Sequence, residues 1–173
     1  AGLAARGWRV ARFEFPYMAA RRQGRRPGPD RQPVLLDAWR EAARDAGEPE
    51  RLVIGGKSMG GRMASLVADE LGVAGLIAFG FPFHAPGRPP GDRITHLASL
   101  RTPTLILQGT RDPFGLPDDI AGYEMSPAIA VRWIADGDHD LRPRAASGRT
   151  ARQNLDEALD AASEFVARVV PRA

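Results

Sequence analysis

The sequence contains no cysteine and only one lysine. The first absence excludes thiol chemistry, and the second shortage explains an unusually high pI. Without cysteine the chain has no disulfide, no thiol nucleophile and no thiolate ligand for a metal. Because Lys57 is the sole lysine, arginine carries nearly all of the positive charge, which accounts for the sequence pI of about 10.1. The formal net charge is only +3, so the high pI does not indicate nucleic-acid binding.

Long apolar runs are also missing from the sequence. No run approaches the roughly 20 residues that a membrane-spanning helix needs, and from this we expect a cytoplasmic protein with no membrane partner. The length of 173 residues and the 43% hydrophobic content are typical of one globular domain over 1–173, with enough apolar residues for a core.

Two kinds of apolar periodicity alternate along the chain. Short apolar or alternating runs predict strands, and apolar residues at helical spacing predict helices. This alternation predicts an α/β fold with a mostly parallel sheet and helices on both faces. The predicted strands are 8–15, 51–56, 73–80, 103–109 and 128–134; the predicted helices are 34–47, 61–72, 94–100, 117–125 and 151–170; the predicted loops are 16–33 and 81–93.

The segment Gly56-Lys57-Ser58-Met59-Gly60 matches the pattern G-x-S-x-G between a predicted strand and a predicted helix. A turn this sharp needs small residues two positions either side of the serine. It is expected to hold Ser58 in an unfavourable backbone conformation, at a cost of about 1–3 kcal/mol. The hydroxyl of Ser58 then stands free above the sheet, and the N–H of Met59 points to where an oxyanion would form. For the pentapeptide alone, the alternative is a glycine-rich turn that merely connects a strand to a helix.

Two further polar residues follow later strands of the predicted sheet. Asp112 comes just after 103–109, and His139 lies in the loop after 128–134. A serine hydroxyl needs an adjacent base that is oriented by a third group. Because the carboxyl ends of parallel strands open on one edge, we expect Ser58, Asp112 and His139 to converge there. The order Ser, Asp, His is the one found in α/β-hydrolases.

Five segments carry a resemblance to a known family, and together they run through nearly the whole chain. They are ARGWRVARFEFPYM, LVIGGKSMGGRMASL, GFPFHAPG, TPTLILQGTRDPFG and DGDHDLRPR. The sequence resembles the small bacterial α/β-hydrolases related to dienelactone hydrolase, in the branch whose elbow reads G-K-S-M-G-G-R. The resemblance implies that Ser58 is the nucleophile, Asp112 the acid and His139 the base. Dienelactone hydrolases proper use cysteine, which this chain lacks, so their substrate is not carried over.

The resemblance also implies an N-terminally truncated domain that lacks the first strands of the α/β-hydrolase fold. The family normally has further strands and a loop resembling HGAG before the helix that ends near Gly7. That loop supplies a second oxyanion donor beside Met59. The missing strand would lie between 8–15 and 51–56, so we expect either a gap of about 10 Å or direct pairing there. Such a chain should be poorly stable and a feeble catalyst, because one lost donor costs about 10²–10³ in rate.

Three polar residues near the predicted edge of the sheet are candidates for binding substrate. Tyr17 follows the end of 8–15, Lys57 adjoins Ser58, and His84 follows 73–80. For Lys57 the alternative is a structural pairing with a carboxylate or a carbonyl. For His84 the alternative is a structural place in its loop, and His96 is predicted to be a surface residue.

Two clusters of charged residues are interpreted as structural. The basic loop has no interleaved aromatic residues to stack bases, which favours a solvated loop over nucleic-acid binding; it contains Arg21, Arg22, Arg25 and Arg26. The carboxylates around His139 lack the glycine and the distal glutamate of a calcium loop. We therefore predict no metal site and expect them to position the histidine loop; they are Asp136, Asp138 and Asp140.

Together these patterns predict a serine hydrolase that cleaves a carboxylic ester, a thioester or a related acyl compound. Its partner is then a small acyl substrate, and no cofactor is expected. The alternative is a non-catalytic α/β-hydrolase-like scaffold or adaptor protein. The presence of Ser58, Asp112 and His139 favours the enzyme, because a scaffold has no physical need to keep all three groups. No pattern indicates the acyl-chain preference or the oligomeric state.

Overall fold

Four parallel strands form the sheet in this computed structural model, which describes residues 2–170. They are β1 (Val53–Lys57), β2 (Gly75–Phe79), β3 (Thr104–Gly109) and β4 (Ile129–Ile134), and they lie side by side in chain order. Pairs such as Ile54 with Leu76 and Ile106 with Val131 set the register. Because all four strands run in the same direction, their carboxyl ends meet at one edge of the sheet.

Helices connect and cover the strands on both faces of the sheet. They are α1 (Pro16–Arg22), α2 (Gln32–Ala46), α3 (Met59–Ser65), α4 (Ala68–Leu71), α5 (Pro117–Ala121) and α6 (Ala151–Val169). Thr150 caps α6, since its hydroxyl accepts the Gln153 N–H and the Gln153 side chain accepts the Thr150 N–H. None of the helices within residues 2–170 combines the length and the apolar composition that crossing a membrane requires.

The apolar residues of β2 and β3 alternate between two cores on opposite faces of the sheet. One core lies under α2 and α3, and the other lies under α6. Strands covered on both faces have no polar side, which explains why β2 and β3 are apolar almost throughout. The first core includes Trp39, Met63, Leu76, Ala78 and Ile106, and the second includes Ile77, Leu105, Leu107, Ala158, Ala162 and Phe165.

The prediction of a strand over 8–15 is wrong. Residues 8–14 have no regular secondary structure, and they follow a short 3₁₀ turn that Gly7 ends with a φ of 87°. Within the described residues β1 pairs with β2 alone, and 8–15 forms no ladder with the other edge of β1, so the backbone groups of this segment have no strand partner. Val10 and Phe13 accordingly stay 44% and 39% exposed. The direct pairing of 8–15 with 51–56 does not occur, and the expected gap of about 10 Å between them stays a prediction.

Several element boundaries also differ from the predicted ones. The predicted loop 16–33 contains α1, because Pro16 is well suited to the first turn of a helix. The predicted helix 61–72 is divided into α3 and α4. The segment 94–100 forms a 3₁₀ turn at Thr95–Ala98, and α5 covers only the first part of 117–125.

His96 is not the surface residue that the sequence predicts. It is half-buried in the 3₁₀ turn, and its Nε2 lies 2.8 Å from the Oγ of Ser65. Burial, helped by the positive charge of Arg62, lowers the pKa of His96 to about 4. The imidazole is therefore neutral at physiological pH.

Helix α3 approaches the sheet closely because glycines face it. A Cβ added to Gly61 would lie 2.7 Å from the carbonyl oxygen of Gly56 and 2.9 Å from the Cβ of Ala78. A Cβ on Gly56 would lie 2.8 Å from the carbonyl carbon of Gly60, whereas a Cβ on Gly60 would have open space around it. A small residue is therefore required at Gly56 and at Gly61. It is not required at Gly60, where the motif suggests one.

We predict that Gly61→Ala destabilises the protein by about 1–3 kcal/mol, because its methyl group has to push α3 away from β1 and β2. Gly60→Ala is the matched control one residue away. It should be neutral or stabilise the helix by about 0.5–1 kcal/mol, since alanine is the better helix former. Urea denaturation of both variants measures the difference. Equal stability of the two variants would show that the close approach of α3 is not a constraint.

Candidate active site

Ser58 lies at the turn between β1 and α3, in a conformation that serine rarely adopts. Its φ is 51° and its ψ is −121°. Two backbone hydrogen bonds hold the turn. The N–H of Ser58 donates to the carbonyl oxygen of Phe79, and the carbonyl oxygen of Ser58 accepts the N–H of Arg62. A positive φ in a non-glycine residue is unfavourable and persists only where the surroundings enforce it. The expected strained conformation of Ser58 is therefore present.

The side chains of Ser58, His139 and Asp112 form one continuous chain of hydrogen bonds. The Nε2 of His139 lies 2.9 Å from the Oγ of Ser58, and its Nδ1 lies 2.8 Å from the Oδ2 of Asp112. A carboxylate only accepts hydrogen bonds, so it fixes the proton of neutral His139 on Nδ1. Nε2 is then an acceptor for the serine hydroxyl proton, which is the arrangement that activates a serine.

Asp112 is fully buried, and two further residues satisfy its carboxylate. The N–H of Phe114 donates to Oδ1 over 2.9 Å, and the Nε2 of Gln108 donates to Oδ2 over 2.9 Å. Gln108 is itself fully buried and accepts the N–H of Phe81. The ring of Phe114 also packs against His139 with centroids 4.4 Å apart. No motif in the sequence marks Gln108 or Phe114, although a glutamine near the end of a largely apolar strand is a recognisable signal.

The loop that carries His139 is held in a strained conformation by a buried asparagine. Asp136 and Leu141 have φ values of 53° and 62°, and with Ser58 they are the non-glycine residues with positive φ among residues 2–170. The Nδ2 of Asn154, on α6, donates to the carbonyl oxygens of Ala135 and Leu141. Backbone strain in the described chain is thus confined to Ser58 and the two ends of the histidine loop, a distribution typical of functional sites.

The three aspartates around His139 each have a structural partner. Asp136 binds Arg144, whose hydrogen bonds lower the pKa of that carboxyl group. The Oδ1 of Asp138 accepts the backbone N–H groups of Asp140 and Arg142. In the described part of the chain, no three histidine, cysteine, aspartate or glutamate side chains are arranged so that they could hold a metal ion. These contacts fit the expectation that the aspartates position the histidine loop.

An ion pair between Lys57 and Asp140 links the Ser58 turn to the loop that carries His139. The Nζ of Lys57 lies 2.7 Å from the Oδ1 of Asp140, and this hydrogen bond lowers the pKa of the aspartate. Lys57 directly precedes Ser58, and Asp140 directly follows His139. Both side chains are about half exposed, at 50% and 53%. The contact is the structural pairing that was the alternative for Lys57, and a role in binding substrate stays a prediction.

Tyr17 and His84, the other two candidates for binding substrate, each have structural partners. The backbone N–H of Tyr17 donates to Asp30, and its ring lies under the guanidinium of Arg21 at 5.0 Å. The ring nitrogens of His84 contact the carbonyl oxygen of Ala85 at 3.0 Å and the carboxylate of Asp119 at 3.2 Å. Their contact with a substrate also stays a prediction. Met59 is the first residue of α3, where backbone N–H groups have no partner within the helix.

Comparison with known proteins identifies the fold. A model of the family described as alpha/beta hydrolase domain matches residues 1–167. The esterase domain of a Rhodothermus marinus protein superposes with a TM-score of 0.59 at 16% identity, over 79% of this chain and 69% of that one. No protein of curated function shows significant sequence similarity to the chain.

Two further solved structures are similar to this chain. One is a Xanthomonas campestris α/β serine hydrolase without a lid, with a TM-score of 0.59 and 21% identity over 85% of this chain and 62% of that one. The other is an α/β serine hydrolase homologue from Coxiella burnetii, with a TM-score of 0.56 and 16% identity over 84% of this chain and 63% of that one. The chain therefore spans less than two thirds of the length of both proteins.

We predict that Gln108→Leu destabilises the protein by about 1–3 kcal/mol, because it removes the hydrogen-bond acceptor of the buried Phe81 N–H and one donor to Asp112. Gln32→Leu is the control, since Gln32 is exposed at the first position of α2. The free energy of unfolding in urea is the measurement. If both variants unfold at the same urea concentration, the buried glutamine does not support Asp112.

Proposed function

Because this chain belongs to the α/β-hydrolase family, whose model matches residues 1–167, we propose that it is a serine hydrolase acting on acyl compounds. The proposed substrates are carboxylic esters, thioesters or related acyl compounds. The observation that supports it best is the hydrogen-bonded series Ser58, His139 and Asp112, with contacts of 2.9 and 2.8 Å. In this proposal Ser58 is the nucleophile, His139 the general base and Asp112 the residue that orients it.

The reaction proceeds in two stages that the three side chains serve in turn. The Oγ of Ser58 attacks the acyl carbon while its proton passes to the Nε2 of His139. The imidazolium is stabilised by the carboxylate of Asp112, and it then protonates the leaving oxygen or sulfur as the bond to the acyl carbon breaks. Water then attacks the acyl-serine while His139 takes its proton. The imidazolium returns this proton to the Oγ of Ser58 as the bond to the acyl carbon breaks, which releases the acid and restores both side chains.

The proposed stabiliser of the tetrahedral oxyanion is the backbone N–H of Met59. Its position at the start of α3 leaves this group without a partner inside the helix, and the N-terminal end of a helix favours negative charge. One such donor is worth about 10²–10³ in rate. Within residues 2–170 we assign this role to Met59 alone.

The second candidate function is a non-catalytic scaffold or adaptor that keeps the fold. The two candidates differ in whether Ser58 is reactive. A fluorophosphonate probe forms a covalent bond only with an activated serine, so it separates them directly. The strained φ of Ser58 and the buried, fully satisfied carboxylate of Asp112 favour the enzyme, because both are costly features that a scaffold does not need.

We predict that Ser58→Ala abolishes fluorophosphonate labelling and lowers the rate of ester hydrolysis by about 10⁴-fold or more. Ser99→Ala is the control, since Ser99 is an exposed serine outside the site. The rate of the unaltered protein should rise with pH through a single transition, because only neutral His139 can accept the serine proton. Undiminished hydrolysis by Ser58→Ala would identify a different nucleophile.

We also predict that Lys57 and Asp140 position the histidine loop through their charges. Lys57→Met and Asp140→Asn should each lower kcat several-fold, up to about five-fold, the range expected for an exposed ion pair. The double variant Lys57→Asp with Asp140→Lys should recover most of the loss, and added salt should shrink every difference. A double variant that is no faster than either single variant would show that the attraction between the two charges does not matter.

A further inference from the structure

A group of basic side chains lies where α3 meets the short 3₁₀ turns of residues 91–98. It consists of Arg62 on α3, Arg93 at the end of the first turn and His96 in the second. Each is half-buried, so each remains open to solvent. Arg62 is four residues beyond Ser58, which places it about 6 Å further along the helix. The proposed reaction does not use any of these three side chains.

Among residues 2–170 Arg62 has no acidic partner, unlike most partly buried arginines. Its Nε is inaccessible to solvent and makes no hydrogen bond with any described residue. Burial and the positive charge of Arg93 both lower the pKa of Arg62. Elsewhere in the chain Arg40 is paired with Glu70, and Arg144 is paired with Asp136. A buried N–H without an acceptor is destabilising, and two neighbouring guanidinium charges add repulsion.

His96 does not add a third positive charge to this group, because its ring is neutral. The hydroxyl of Ser65 donates to the carbonyl oxygen of Arg62 over 2.8 Å, so its lone pair is free to accept from the Nε2 of His96. The lowered pKa of about 4 keeps this histidine neutral at physiological pH. Positive charge is therefore concentrated on the two guanidinium groups, and the pKa of His96 responds to the charge of Arg62.

We propose that Arg62 and Arg93 bind a small oxyanion, such as a sulfate, phosphate or carboxylate group. A guanidinium presents N–H donors in a planar fork that matches the oxygens of such groups, and the contacts are strengthened by charge. The anion offsets the repulsion between the two arginines and accepts hydrogen bonds from the side chain of Arg62, whose backbone N–H already donates to Ser58. The proposed reaction needs neither arginine, and the proposal holds whether or not the chain is a hydrolase.

Sulfate is the probe for the first test, because it carries the required oxygens and keeps its charge across the useful pH range. The thermal midpoint Tm is compared in sodium sulfate and in sodium chloride at equal ionic strength. The variants are Arg62→Gln and Arg93→Gln, and the control is Arg88→Gln, an exposed arginine in the same loop. Sulfate also stabilises proteins in general, and that effect is common to all four proteins.

The unaltered protein and Arg88→Gln should show an additional, saturable rise in Tm, on the order of 4 °C at ten times the dissociation constant. Arg62→Gln and Arg93→Gln should lose this additional rise. If all four proteins gain the same Tm in sulfate, the effect is general and the site does not exist. Arg93 lies in a short turn outside the helices and strands, so its variant keeps the test decisive if Arg62→Gln fails to fold.

The second measurement follows the ring of His96 by NMR as the pH is lowered. The charge of Arg62 contributes to the low pKa of His96, and a bound anion would offset that charge. The midpoint of the His96 titration should therefore rise in sulfate for the unaltered protein and for Arg88→Gln, and stay unchanged for Arg93→Gln. A midpoint in the unaltered protein that is the same in sulfate and in chloride would overturn the proposal.

Discussion

The close contact between α3 and the end of β1 is the constraint on which the rest of the structure depends. Gly56 and Gly61 leave no room for a Cβ at this contact, so the chain has to reverse within the residues between them. Ser58 takes up the reversal with a φ of 51°. The strain is local, and it fixes the serine hydroxyl at the carboxyl edge of the sheet, beside the start of a helix.

A buried carboxylate supplies the second fixed point of the site. Asp112 has no contact with solvent, and a charge in such a place is tolerable only when its oxygens are hydrogen-bonded. The donors come from β3, from the turn after it and from the loop after β4, namely Gln108, Phe114 and His139. The same contacts that make the charge tolerable also orient the imidazole toward Ser58. Stability and site geometry are therefore inseparable here.

The sequence alone was enough to predict that Ser58, Asp112 and His139 lie together. Each follows a strand, and a parallel sheet brings the ends of its strands to one edge, so residue type and chain order carry the information. Gln108 and Phe114 follow no motif, because their roles come from where a side chain and a backbone N–H point in three dimensions. Lys57 was recognised as either a ligand or a paired residue, but its partner depends on how the loop after β4 folds back.

The two clear errors, at 8–15 and at His96, have a common cause. Alternation over 8–15 shows that the segment suits a sheet, but it does not supply the neighbouring strand that its backbone would need. His96 is buried by contacts with α3 that its own surroundings in the sequence do not reveal. The conformation of Ser58, by contrast, is imposed by nearby glycines and by the adjacent strand β2. Local turn chemistry and the order of parallel strands can be recognised from sequence, whereas a contact that depends on the packing of one particular segment appears only in the folded chain.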